Sequence, residues 1–163
     1  MKHISGKLVG VALAMALAAA SGFAQLADKK ALTLAAAKQI AAAAEAEAMN
    51  NKFNMVITIL DDGGNLMYLE RMDDAQLGSV QISQGKAHTA LAFKRPTKMM
   101  EDGVAAGRTQ TLSLPGAVLI EGGLPLTVDG KVIGSIGVSG GTSAQDGIIA
   151  KAGVDAFMKM IAH

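Results

Sequence analysis

The 163-residue chain contains no cysteine. That excludes disulfide stapling and any metal centre held by thiolates. A strong excess of either charge is missing too, since 15 Lys and Arg face 14 Asp and Glu for a net +1. A whole-protein attraction to nucleic acid is therefore not expected. Metal and phosphate signatures are also absent. There is no H-E-x-x-H, and Asp61-Asp62-Gly63-Gly64-Asn65 lacks the spaced acids and distant glutamate of a calcium loop. Gly85-Lys86 is followed by Ala87, where a phosphate-binding loop needs serine or threonine. Stability has to come from packing.

What the sequence does have begins at its start. Lys2 and Lys7 precede an apolar, alanine-rich run over 8–20, and Gly22 and Ala24 place small residues where a signal peptidase requires them. The pattern predicts a secretory signal peptide over 1–24 and a single domain over 25–163 that works in the periplasm or outside the cell. The run barely reaches the ~20 apolar residues of a spanning helix, so no stable membrane insertion is expected after cleavage. Cleavage removes two lysines and no acids, which turns the net charge from +1 to −1.

Thr33 can cap a helix over 34–50, with Leu34, Ala37, Ala41, Ala44 and Ala48 on one face. An alanine face of this kind lets a helix lie close against a sheet or a partner. An apolar strand over 53–60 leads into the turn at Asp61–Asn65, whose glycines suit a hairpin, and a second strand returns over 66–71. A helix begins at Ser79 and must stop before Pro96, and Thr97 opens a short helix ending near Gly107. Strands are expected over 117–121, 124–128 and 131–139. Pro125 requires an edge position, and Asp129-Gly130 marks a hairpin. Ser143 can cap the last helix, with Asp146 three residues on. The expected architecture is α+β, a five-stranded antiparallel sheet flanked by helices in the order α-β-β-α-α-β-β-β-α.

His88 is the one histidine away from the chain's two ends. It shares a helix face with Gln81, Gln84 and Arg95, and Gly85 one turn earlier leaves an open shoulder for a flat ligand. A neutral imidazole is a good axial ligand for haem iron, and Arg95 or Lys86 can pair with an acidic substituent. Ile133, Ser135, Gly137 and Ser139 leave space beside the last strand, and Gly140 and Gly141 precede a helix N-terminus where an anion can sit. Gly137-Val138-Ser139-Gly140-Gly141 also matches the G-x-S-x-G of hydrolase elbows. The acid and histidine that such enzymes need do not follow on suitable loops.

Leu32-Thr33-Leu34-Ala35, Asp62-Gly63-Gly64-Asn65-Leu66, Leu69-Glu70-Arg71-Met72-Asp73 and Gly85-Lys86-Ala87 occur in order along the chain. Phe93-Lys94-Arg95-Pro96-Thr97, Leu114-Pro115-Gly116, Glu121-Gly122-Gly123-Leu124-Pro125 and the glycine-rich stretch from Gly134 to Gly140 continue the series. Together they resemble the GlcG/HbpS-like haem-binding proteins, which also occur as the C-terminal domain of PduO-type proteins. The resemblance implies a five-stranded sheet, homo-oligomers and haem as cofactor. On these residues the expected function is exported haem binding, for scavenging, storage or sensing. His88 would be the iron ligand, and Lys86, Arg95, Gly140 and Gly141 would receive the acidic groups. The alternatives are another small anionic metabolite, or a haem-degrading or hydrolytic activity in the same cleft.

Overall fold

The computed structural model describes residues 29–162; the signal-peptide segment and His163 lie outside them. Within this span the fold is α+β, a four-stranded antiparallel sheet with four helices in the order α-β-β-α-α-β-β-α. The elements are α1 (Leu34–Asn50), β1 (Val56–Asp61), β2 (Leu66–Arg71), α2 (Gly78–Phe93), α3 (Thr97–Ala105), β3 (Gly123–Val128), β4 (Lys131–Ser139) and α4 (Ser143–Ile161). A short 3-10 turn, Thr109–Ser113, follows α3. The sheet order is β2-β1-β4-β3, which puts Pro125 on an edge strand as its missing N–H demands.

The strand expected over 117–121 does not form, and its backbone explains why. Val118 N–H donates to Thr89 Oγ1 at 2.8 Å, and Glu121 N–H donates to a Glu101 carboxylate oxygen at 2.8 Å. Side chains of α2 and α3 thus take the donors that a sheet ladder would have used. The last helix is capped one residue earlier than expected. Thr142 and Gln145 form a reciprocal capping box, which frees Asp146 for another partner.

The two sheet faces are built differently. Ile57, Ile59, Ile136 and Val138 point to the main core, where α1 and α4 cover them. The buried positions of α1 are Ala37, Ile40, Ala41, Ala44 and Ala48, so this helix lies close to α4 and the sheet. A Cβ at Gly153 of α4 would come 3.2 Å from the Ile40 side chain. The opposite face carries Thr58, Ser135, Gly137 and Ser139, and α2 lies on it. A Cβ at Gly137 would stand 2.1 Å from the Ser83 carbonyl oxygen, and the Thr58 and Ser83 hydroxyls meet at 2.8 Å. The space expected beside β4 is therefore filled by α2. Ile133 leaves that face altogether, because Leu126 pairs with Gly134 and Thr127 with Val132. The extra residue turns Ile133 into the main core.

Candidate functional site

The helix α2 ends where Lys94 turns left-handed (φ 51°) and Arg95 N–H returns to the Ala90 carbonyl at 3.2 Å. His88 stands exposed one and a half turns before that end. It faces a cleft of about 440 Å³ lined also by Leu91, Ala92, Lys94, Val132 and the hairpin residues Asp62, Gly63 and Gly64. The hairpin forms a firm wall. Asp61 accepts the N–H groups of Gly63 and Asn65 at 2.9 and 2.8 Å, and the Asn65 amide reaches both of its carboxylate oxygens. These bonds, first of all the Asn65 side chain, hold the Asp61 carboxyl below its usual range. Gly64 has φ 82°, a left-handed conformation that suits glycine, and its open Cα faces Leu91.

Of the other residues expected at the site, Lys86, Gly140 and Gly141 are placed elsewhere. Lys86 points inward, 1% exposed, and its ammonium meets the Asp146 carboxylate at 2.6 Å. Burial raises the Asp146 pKa, opposed by the bond from Lys86 and by N–H groups of the Gly140–Gly141 turn. The N–H groups offered to an anion thus already have acceptors: Gly141 donates to Asp146 at 3.0 Å and Thr142 to the Gln145 side chain at 2.8 Å. Gly140 and Gly141 line a different hollow of about 370 Å³ with Lys52 and Asn54. It lies beyond the far end of β4, eight residues from Val132, or roughly 26 Å along the strand. One small ligand cannot touch both. Arg95 is exposed beside Lys94 and bonds the Phe93 carbonyl. The shoulder expected at Gly85 is occupied, because a Cβ there would lie 2.5 Å from a Val118 methyl.

Ser139 of the hydrolase-like motif is buried and donates to Ser79 at 3.1 Å. His88 lies nine residues further along α2, about 13 Å by helical rise, so it cannot serve Ser139 as a base. Among the described residues, no group of three or more histidines and acids could hold a metal ion. No described helix is long and apolar enough to cross a membrane. The sequence singled out His88 as a candidate, whereas Lys94, Leu91 and the hairpin residues that line the same cleft were not expected beside it. The turn itself was legible; its meeting with α2 depends on where α2 crosses the sheet.

The family model described as haem degrading protein HbpS-like matches residues 32–155. Protein GlcG of Escherichia coli K12 is 45% identical over 103 residues, 63% of this chain and 77% of that protein. The solved structure of Klebsiella pneumoniae protein ORFY superposes with a TM-score of 0.77 at 35% identity, covering 85% of this chain and 98% of that one. A solved PduOC:haem complex superposes with a TM-score of 0.71 at 33% identity, covering 78% and 95%.

Proposed function

The chain belongs to the HbpS-like family, and from that premise we propose that it binds haem in the His88 cleft as an exported protein. One observation carries the reading: an exposed imidazole faces a cleft of mixed polarity in which Leu91, Ala92 and Val132 give apolar surface and Lys94 a cation. Those are the three things haem asks of a protein: a nitrogen ligand, apolar surface and positive charge for its carboxylates. In this cleft His88 would hold the iron, the Gly63–Gly64 hairpin would wall the group in, and Lys94 with neighbouring Arg95 would receive its acidic substituents. Bound haem would supply iron and its redox chemistry; the chain supplies ligand, shape and charge. Lys86, Gly140 and Gly141 have no part in this reading, since their polar groups are bonded elsewhere.

The order of basic, apolar and small residues over 1–24 supports export and function in the periplasm or outside the cell. Assembly into homo-oligomers belongs to the same proposal, supported by apolar side chains left in the open, above all Leu77 at 76% exposure.

Titration of the purified protein with haemin tests the binding. A saturable shift of the Soret band is expected, with affinity falling at least tenfold in His88→Ala. Absence of any shift overturns haem binding, whereas an unchanged affinity in His88→Ala overturns the ligand assignment.

A further inference from the structure

A second opening lies next to the His88 cleft, across Asp62 and Val132, where the arm before α1 passes the β3–β4 turn. Its mouth, about 390 Å³, carries Lys29, Lys30 and Lys131 with Asp62 and Asp129. Its continuation, about 300 Å³, is a shallow, mostly apolar groove that runs between Ala36 of α1 and Phe157, Met160 and Ile161 of α4. The two parts share Lys30, Val128 and Ile133, so they form one open trough with a charged end, its mouth. The bulge in β4 builds this arrangement, because it turns Ile133 inward while Lys131 stays exposed at the strand's start.

Among the described residues the charges at the mouth do not cancel. Lys29 pairs with Asp62, and Lys30 with Asp129 at 3.1 Å. Among the described residues no carboxylate forms an ion pair with Lys131. Among the described residues, three ammonium groups beside two carboxylates leave one positive charge at this end of an apolar trough. We propose that this groove binds a free aliphatic monocarboxylate of the fatty-acid type, with its carboxylate at Lys131 and its chain along Phe157 and Met160. Methionine and the aliphatic stems of lysine adapt to a chain of variable length. Haem suits the groove less well: it would bring two carboxylates to a mouth with one lysine in excess among the described residues, and none of the described lining residues is a histidine.

Calorimetric titration of the purified full chain with palmitate tests this. One saturable site per chain is expected. Lys131→Ala weakens it about three- to tenfold, as loss of a charge-assisted contact at a partly exposed site should. Ile161→Asp weakens it more than tenfold by placing a carboxylate in the trough, at a position 40% exposed where thermal unfolding checks that the fold persists. Hexadecanol, which lacks the anion, binds wild type and Lys131→Ala alike, and His88→Ala leaves palmitate binding unchanged whether or not haem binds. The proposal is overturned if palmitate does not saturate, if binding ignores both groove substitutions, if it is lost in His88→Ala, or if the protein takes up palmitate only from phosphatidylcholine vesicles.

Discussion

Three side chains on or beside the α2 face of the sheet show how unequal neighbouring positions are. Ser135 is buried, and its hydroxyl is the one buried side-chain polar atom among the described residues without a partner. Desolvation without a compensating bond costs about 1–3 kcal/mol, so Ser135→Ala should raise stability by about 1 kcal/mol in urea unfolding. Two residues along the same face, Gly137→Ala should do the opposite. Its new methyl would meet α2 backbone at both the Ser83 oxygen and the Ala87 nitrogen, and overpacking of this kind costs about 1–3 kcal/mol or more. Equal signs for the two variants would refute this account of the interface. Lys86 is the third case. Lys86→Met leaves the Asp146 carboxylate buried with no cation, a loss of about 3–5 kcal/mol at neutral pH. Without the ammonium, burial is opposed only by the N–H groups of the Gly140–Gly141 turn, and the Asp146 pKa rises further above its unfolded value. A raised folded pKa favours the fold below the unfolded pKa and loses that advantage as pH rises. The deficit of the variant should therefore shrink on acidification, which unfolding curves at several pH values will show.

At the scale of elements, a pair of acids joins α1 to the edge strand β2. Glu45 has its pKa raised, first by a side-chain hydrogen bond with Glu70, then by that neighbour's charge and by burial. Tyr68 donates to the same Glu70 carboxylate at 3.0 Å. Protonated Glu45 thus strengthens the contact, a gain present below its unfolded pKa and lost as pH rises through the folded one. Glu45→Gln keeps a donor at every pH. It should stabilise the protein by a few tenths of a kcal/mol at neutral pH, little because the pair is half exposed, and flatten the pH dependence of the thermal midpoint. A midpoint that falls on this substitution would show that the acids do not repel. Most elements were legible in the sequence: Thr33, the Asp61–Asn65 turn, Pro96 and Asp129-Gly130 bound helices and strands by local chemistry. The segment 117–121 was not. Its apolar run matches a strand, and nothing in its own residues tells that Thr89 and Glu101, 29 and 20 residues away, take its backbone donors. The bulge at Ile133 was equally hidden, since it arises from the register with β3.

For the whole molecule, the part of the proposed site that lies on one element was legible as a candidate and the part that crosses elements was not. His88 could be named as a candidate from its helix, whereas the wall it faces comes from a hairpin more than twenty residues earlier; Lys86 was expected beside it, but Lys94 lines the cleft and Lys86 is buried against Asp146. Oligomerisation poses the same difficulty between chains, but α2 offers a handle on it. That helix starts on Leu77, which supplies no side-chain cap although polar residues are preferred there, and which stands 76% exposed. A side chain that neither caps its helix nor packs in its own protomer is accounted for if another copy covers it. Sedimentation equilibrium should then give a mass that is a multiple of the protomer's, with a thermal midpoint that rises with protein concentration. Leu77→Asp separates the two roles. The carboxylate suits a helix N-terminus and removes little contact within the protomer, where Leu77 is 76% exposed, so the isolated fold should be about as stable. Burying that charge between copies is costly, so the assembly should shift to smaller species. An unchanged mass in Leu77→Asp would place the interface elsewhere, and a fall in both mass and protomer stability would mean that Leu77 supports its own fold instead of a neighbour.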